Sequence, residues 1–241
     1  MKKVNIDKAT LIKYYIDEQM TMKEIANLYN VDRTTIGNKL KEYDIKYKDN
    51  INLSLIQKEL IVGSLLGDAS IVSRNKNSYF RVSHCEKQKD YIIWKKEILN
   101  NLVNSINKYI DKRGNSIMYS FNTKSSEVFN EYNNLFYKDK KRISYDIYDH
   151  LSELGLAVWY MDDGSKQNNN CRLSTDGFSL DENIILQNIL DKKFNLNCKI
   201  CKYNRNNNEY YFLFFNKDNT YKLHNIIDKY VINSMKYKLI L

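Results

Sequence analysis

The chain has 241 residues, 43% of them hydrophobic, enough for a real core in one large domain or in a medium domain with a small appendage. No apolar run approaches the roughly 18–20 residues of a membrane span. The basic start MKKVNIDKATLIKYY is interrupted by Asp7, Lys8 and Lys13 before a signal-like stretch can form, so the chain reads as soluble and not secreted. Its formal charge of +9, from 7 Arg and 31 Lys against 29 acids, points to a polyanionic partner, because each neutralised phosphate releases counterions.

Pro is absent and Gly numbers 7, so turns must rely on Asn, Asp and Ser. Residues 7–47 read as three short helices. Leu11, Ile12, Tyr15 and Ile16 recur at helical spacing. Thr21 and Glu24 form a capping box for a second helix, Met22 to Tyr29, which buries Ile25 and Leu28. Asn30 sits where the chain turns and tolerates the left-handed conformation. Asp32 caps a third helix, through about Tyr43, that buries Ile36 and Leu40. This is a helix-turn-helix pattern over residues 1–50. Its last helix exposes Arg33, Thr34, Thr35, Asn38 and Lys39, side chains that can reach base edges and phosphates in a major groove. The alternative is a three-helix packing module. Residues 46–53 read as a polar connector.

Ser54 and Gln57 open a helix that is apolar nearly all round from Leu60 to Leu66 and should be buried. Gly63 and Gly67 lie on one face of it. Each costs about 1 kcal/mol of helix propensity relative to Ala, a cost that close approach of another backbone would explain. Asp68 follows at the C-terminal end, where the helix dipole is already negative, so a cation should stand nearby. The runs ASIVSR and SYFRVSH predict a hairpin, Lys87 to Val103 a helix, and NKYIDKR and SIMYSFNT a second hairpin around Gly114-Asn115. A helix from Ser125 or Ser126 to Tyr137 and the basic stretch KDKKR close the first half.

The pattern then returns. Ser152 caps ELGLAVWYMDDG, again apolar and again ending in carboxylates. Asn170 to Ser174 is a short strand, and Ser179 with Glu182 caps a helix to about Lys193. LNCKICKYN and EYYFLFFN form a third hairpin, and a last helix covers Tyr221 to Val231. Asp68 and Asp163 are 95 positions apart, and Lys141 and Lys238 are 97 apart, which marks an internal repeat. Cys198 and Cys201 have the spacing of half a zinc site, but three residues apart on a strand they point to opposite faces and read as buried thiols. His84, His150 and His224 are scattered and read as structural or surface residues.

IVGSLLGDA (61–69) and LAVWYMDDG (156–164) resemble the two motifs of LAGLIDADG homing endonucleases, in their single-chain, two-motif branch. The resemblance covers residues 54–241. It implies an α+β fold, a pseudo-two-fold repeat of αββαββα units forming a saddle, with halves at 51–144 and 145–241 after the all-α domain at 1–50. It implies motif helices packed through small residues. Gly63 and Gly67 suit that, whereas Val158 stands where the second motif would have glycine and Ala157 is the small residue inside it. It implies a site-specific DNA endonuclease in which Asp68 and Asp163 bind Mg²⁺ or Mn²⁺, Asp162 is set aside because it points about 100° from Asp163, and Lys141 and Lys238 reach the active-site water. Arg74, Arg81, Lys112, Arg113, Lys166, Arg172, Lys202 and Arg205 are candidate DNA contacts on or beside the strands. The expected partner is double-stranded DNA, bound by a monomer, in bacterial cytoplasm or an organelle matrix. The competing reading is a non-cleaving intron maturase, with intron RNA as partner, or a DNA-binding regulator on the same fold.

Overall fold

The computed structural model describes residues 6–18, 20–45, 51–112 and 114–240. The chain divides into two compact units, Met1–Asn50 and Ile51–Leu241. Arg113 and residues 46–50 of the expected connector lie outside the described residues.

In the first unit, α1 (Lys8–Ile12) starts at Asp7, whose carboxylate accepts the Thr10 N–H at 2.9 Å, and it runs on as a π-helical turn, Lys13–Asp17. Helix α2 (Met22–Leu28) carries the expected capping box: Glu24 accepts the Thr21 N–H at 2.7 Å and Thr21 Oγ1 accepts the Glu24 N–H at 3.2 Å. Asn30 then turns left-handed at φ 50°, and Asp32 caps α3 (Arg33–Glu42). The core is Ile6, Leu11, Ile25, Ala26, Ile36 and Leu40. Leu28 corrects the sequence reading. It is 60% exposed, because Ala26 rather than Leu28 shares the buried face with Ile25.

The second unit opens with α4 (Leu55–Leu66), capped by Ser54 and Gln57 as expected and buried from Leu60 onward. The first half continues with β1 (Ser70–Arg74), β2 (Asn77–Cys85), α5 (Lys89–Leu99), β3 (Asn107–Asp111), β4 (Ser116–Asn122) and α6 (Asn130–Phe136). A short α7 (Ile147–His150) leads to α8 (Glu153–Asp163). Then come β5 (Gly164–Gln167), β6 (Asn170–Ser174), α9 (Leu180–Phe194), β7 (Lys199–Arg205), β8 (Asn208–Phe215) and α10 (Lys217–Ile227), with 3-10 turns to Lys238. Each half builds one antiparallel four-stranded sheet, in the orders β1-β2-β4-β3 and β5-β6-β8-β7. The repeat is thus visible as two matching sheets.

The sequence reading missed strand β5, which starts directly at Gly164 and makes a hairpin with β6. Helix α10 begins four residues earlier than expected, because Asn216 caps it by accepting the Asn219 N–H. Among the described residues every positive φ belongs to Asn or Asp and none to glycine, so asparagine turns the hairpins at Asn75, Asn115, Asn168, Asn206 and Asn207.

Helices α4 and α8 pack side by side at the centre of this unit. A Cβ on Gly63 would lie 2.2 Å from the Gly155 carbonyl oxygen, so the closest contact is backbone on backbone. Gly155, just ahead of the second motif, supplies the small residue that Val158 does not. No helix among the described residues is long and apolar enough to cross a membrane.

Candidate active site

The C-terminal ends of α4 and α8 bring four carbonyls and three carboxylates together. Lys141 Nζ donates to the Gly67 and Ala69 carbonyls at 2.9 and 3.2 Å. Lys238 Nζ donates to the Met161 and Asp162 carbonyls at 2.5 and 3.0 Å. Each lysine therefore anchors the motif helix of its own half, where orphan carbonyls and the helix dipole favour a cation. Burial lowers the pKa of both ammoniums, against the pull of the nearby aspartates.

Asp68 is raised above the usual carboxylate range by burial and then by Asp162. Asp163 is pushed up to about 8 by burial, then by Asp68 and Asp162, with Lys141 and Lys238 opposing. Asp163 lines a cavity of 270 Å³ with Lys141, Ser174, Thr175 and Phe178.

Asp162 is not a bystander. It is buried over Gly67, where a Cβ would come within 2.4 Å of the Asp162 Cβ. Its Oδ2 accepts the Asp68 backbone N–H at 3.2 Å. The fully buried Lys95 donates to both its oxygens, at 2.8 and 3.1 Å. Lys95 in turn lies over the ring of Tyr91, which donates its hydroxyl to the Val158 carbonyl at 3.2 Å. His84, on the inner face of β2, stands between the acids. Its Nδ1 is 3.6 Å from Asp68 Oδ2 and its Nε2 is 3.8 Å from Asp162 Oδ1. Burial, then Lys95, holds this imidazole down to about 3, so it is neutral at ordinary pH. His84 is therefore part of this cluster rather than the structural or surface residue expected from its scatter. Lys95 lay hidden as one lysine among many, although it occupies a buried helix position one turn after Tyr91.

Strand register sorts the candidate DNA contacts. Arg74 and Arg81 share one face with Tyr79 and Tyr109 on the first sheet, opposite the buried Phe80 and Val82. Arg172 and Arg205 share the matching face of the second sheet with Tyr203, Tyr210 and Phe212. Arg81 lies over Tyr79 and Arg172 over Phe212, and Tyr203 stacks on Tyr210. Lys112 is exposed at the β3–β4 turn.

Lys166 and Lys202 are corrected by the same alternation. Lys166 pairs with the buried Cys171, so it points away from Arg172 and donates to the Leu239 carbonyl. Lys202 shares the inner parity of Leu213 and pairs with Glu209 at 2.8 Å. All four cysteines are free; Cys198 and Cys201 are half-buried rather than buried, burial pushes the Cys198 thiol up to about 12, and Cys201 lies on the outer face of β7, opposite Ile200. In the first unit Arg33, Thr34 and Asn38 are exposed, while Lys39 is half-buried, pairs with Glu42 at 2.9 Å and covers Tyr43.

Residues 58–223, which take in all but the start of α4, the whole of α8 and both sheets, match the model of the LAGLIDADG DNA endonuclease family. The chain belongs to that family. It is 33% identical over 236 residues to "Probable intron-encoded endonuclease 1" of Wickerhamomyces canadensis, across 92% of this chain and 99% of that protein. It is 31% identical over 209 residues to a cytochrome b mRNA maturase, bI2, of Debaryomyces hansenii, across 81% of this chain and 79% of that one. Among solved structures it is similar to the homing endonuclease I-WcaI bound to its DNA recognition sequence. The TM-score is 0.70 with 28% identity, over 86% of this chain and 92% of that one. As a member of this family the chain is a DNA endonuclease with the pseudo-two-fold α+β fold of LAGLIDADG proteins.

Proposed function

We propose that the chain cuts both strands of one specific DNA duplex in a divalent-metal-dependent reaction, with Asp68 and Asp163 each serving one strand. The observation that carries this reading is the set of carboxylates at the ends of two touching helices, driven up in pKa by burial and by one another. Such a set favours a bound cation, and its oxygen donors suit Mg²⁺ or Mn²⁺. A cation there would offset phosphate charge and orient the attacking and leaving oxygens. The chain's own groups do the rest. Lys141 and Lys238 fix the backbone that carries each acid. With pKa values lowered by burial, their ammoniums can exchange a proton with the attacking water or the leaving oxygen more readily than an exposed lysine could.

Arg74, Arg81, Arg172 and Arg205 line the outer sheet faces and would contact phosphates and base edges, where the arginine fork suits guanine. Lys112, exposed at the β3–β4 turn, would extend that surface, and Arg113 stays a proposed contact by its place in the sequence alone. The helix-turn-helix unit would read an adjoining patch of duplex through Arg33, Thr34, Thr35, Asn38 and Lys39. One chain supplies both acids, so a monomer completes the site. The free thiols and the intron-encoded relatives fit a reducing cytoplasm or an organelle matrix. The maturase-named relative keeps RNA binding in view as a second activity on this fold. Retention of both acids beside the half-buried Lys141 and Lys238 favours cleavage.

The test is cleavage of end-labelled duplex carrying the target site. Asp68→Asn or Asp163→Asn should abolish double-strand cutting while specific binding stays within about 1–2 kcal/mol. Residues 51–241 alone should cut at the same phosphates with weaker binding and a flatter salt dependence. The slope of log affinity against log salt should fall by about 0.9 for each phosphate that the shorter chain leaves unneutralised. Full double-strand activity in either aspartate variant overturns the reading. An unchanged footprint and salt slope in the truncation would leave the first unit as a packing module.

A further inference from the structure

The two motif acids have different neighbours. The inner face of β2 runs Phe80, Val82, His84, and that of β6 runs Cys171 and Leu173, with Thr175 next, one residue past the strand; the pairs Ser70–Arg81 and Ser165–Arg172 set the two halves in the same register. His84 and Thr175 therefore hold equivalent places in the two halves. The Thr175 hydroxyl is bonded within the fold, to Asn183 Oδ1. His84 is 2% exposed, and neither of its ring nitrogens makes a hydrogen bond of ordinary length among the described residues. A buried polar ring left unsatisfied carries a desolvation cost and calls for a physical reason.

The surroundings supply one. Donor atoms of Asp68, His84 and Asp162 all lie within 4.8 Å of one another. His84 Nδ1 and Asp68 Oδ2 are 3.6 Å apart, too far for a hydrogen bond. Two donors on one first-row divalent ion, each at about 2.0–2.2 Å, stand roughly 3–4.3 Å apart according to the angle between them. The ring's other edge, Nε2, faces Asp162 Oδ1 at 3.8 Å. Asp162 is held from behind by Lys95 and accepts the Asp68 N–H. That distance too is beyond a hydrogen bond in the metal-free fold, but a carboxylate facing the far nitrogen is placed to close on it, orient a metal-bound histidine and fix its tautomer.

We propose that His84 Nδ1 joins Asp68 Oδ2 as a ligand in the first-half cation site, with Asp162, anchored by Lys95, accepting the Nε2–H. The site then has a nitrogen donor and accepts a first-row transition ion such as Mn²⁺ more readily than Mg²⁺, whereas the Asp163 site, with threonine in the equivalent place, is all oxygen. The inference rests on the metal-dependent reading above and adds an asymmetry to it. The anchor cannot form in the other half, because Gly67 occupies the place before Asp68 that Asp162 occupies before Asp163. Asp162 thus belongs to the second half in sequence and to the first-half site in space.

The experiment is electron spin-echo spectroscopy of Mn²⁺ added to the full chain in the absence of DNA, together with a Mn²⁺ binding isotherm. The expected result is a modulation from one directly bound ¹⁴N in the wild type. It should be lost in His84→Ala and kept in His150→Ala, which removes an exposed histidine. One class of Mn²⁺ site should weaken about 10–100-fold in His84→Ala and in Asp162→Asn while the other persists. Mn²⁺ bound without ¹⁴N modulation overturns the histidine ligand and leaves the nuclease reading standing. Failure of the chain to bind Mn²⁺ at all overturns both. Should His84→Ala not fold, the wild-type spectrum decides by itself.

Discussion

At the end of α4 the residue before the acid is Gly67, and at the end of α8 it is Asp162. The two backbones are otherwise treated alike: a lysine from the close of each half donates to the last carbonyls. On its inner side Asp68 meets His84, with Asp162 and Lys95 behind, whereas beside Asp163 there is a cavity lined by Lys141 and Thr175. The contrast shows which features the repeat holds constant. Helix placement and the lysine anchors are common to both halves, and the residue before each acid decides whether that end is braced or open.

The largest expected effect lies in the brace. Lys95→Met leaves Asp162 buried with its charge uncompensated, and breaking a buried pair in this way costs about 3–5 kcal/mol. Lys95→Met combined with Asp162→Asn should recover part of that loss, because the remaining group is then neutral. Urea unfolding of the two variants measures both steps. A cost below about 1 kcal/mol for Lys95→Met would mean that the first-half end is no more braced than the second.

A smaller effect tests the helix contact that the two ends share. Gly63→Ala places a methyl 2.2 Å from the Gly155 oxygen, a backbone atom that cannot rotate away, so the helices must separate. The expected cost is about 2–4 kcal/mol. Gly155→Ala meets the flexible Leu151 Cδ1 at 3.1 Å and the Glu59 carbonyl at 3.3 Å and should cost less. Thermal unfolding of the pair would reverse this order if the close approach were governed from the α8 side.

Local features were legible in the sequence. The capping boxes at Thr21, Ser54 and Ser179 form as their spacing requires, and asparagine turns fall where hairpins were expected. Both motif helices are buried as their all-round apolar character demands. The brace was not legible, because it joins α5, β2 and α8 from distant parts of the chain. Partial signals existed. His84 continues the inward parity of Phe80 and Val82, and Lys95 lies one turn from Tyr91 on the buried face of α5. Counting basic residues near strands could not separate Arg172 and Arg205 from Lys166 and Lys202, since only the pairing register assigns their faces. The start of α10 was misjudged because Asn216 follows the apolar strand EYYFLFF directly and caps a helix whose first turn is polar.

The smallest expected effect is a pH dependence that separates the two ends. Asp163 has a folded-state pKa of about 8, far above its ordinary value, and Asp68 is raised in the same direction. A carboxyl whose folded pKa exceeds its unfolded value binds more protons when folded. Its contribution to stability is complete below about pH 4 and is lost as pH rises through about 8. The metal-free protein should therefore lose stability across that window. Asp163→Asn removes the titrating group and keeps its shape, so the variant should gain on wild type as pH rises from 5 to 9, by about 1–3 kcal/mol after discounting for water at a partly exposed carboxyl. Asp68→Asn should gain less, because the Asp68 carboxylate is 43% exposed and Lys95 is among the cations that oppose its shift. Melting curves at several pH values, with and without Mg²⁺, measure this directly. Added Mg²⁺ should stabilise wild type most at high pH, where the carboxylates are ionised, and shrink the gap to both variants. A difference between variant and wild type that stays flat from pH 5 to 9 would mean that Asp163 is already ionised in the metal-free fold, and the open end would then be as well compensated as the braced one.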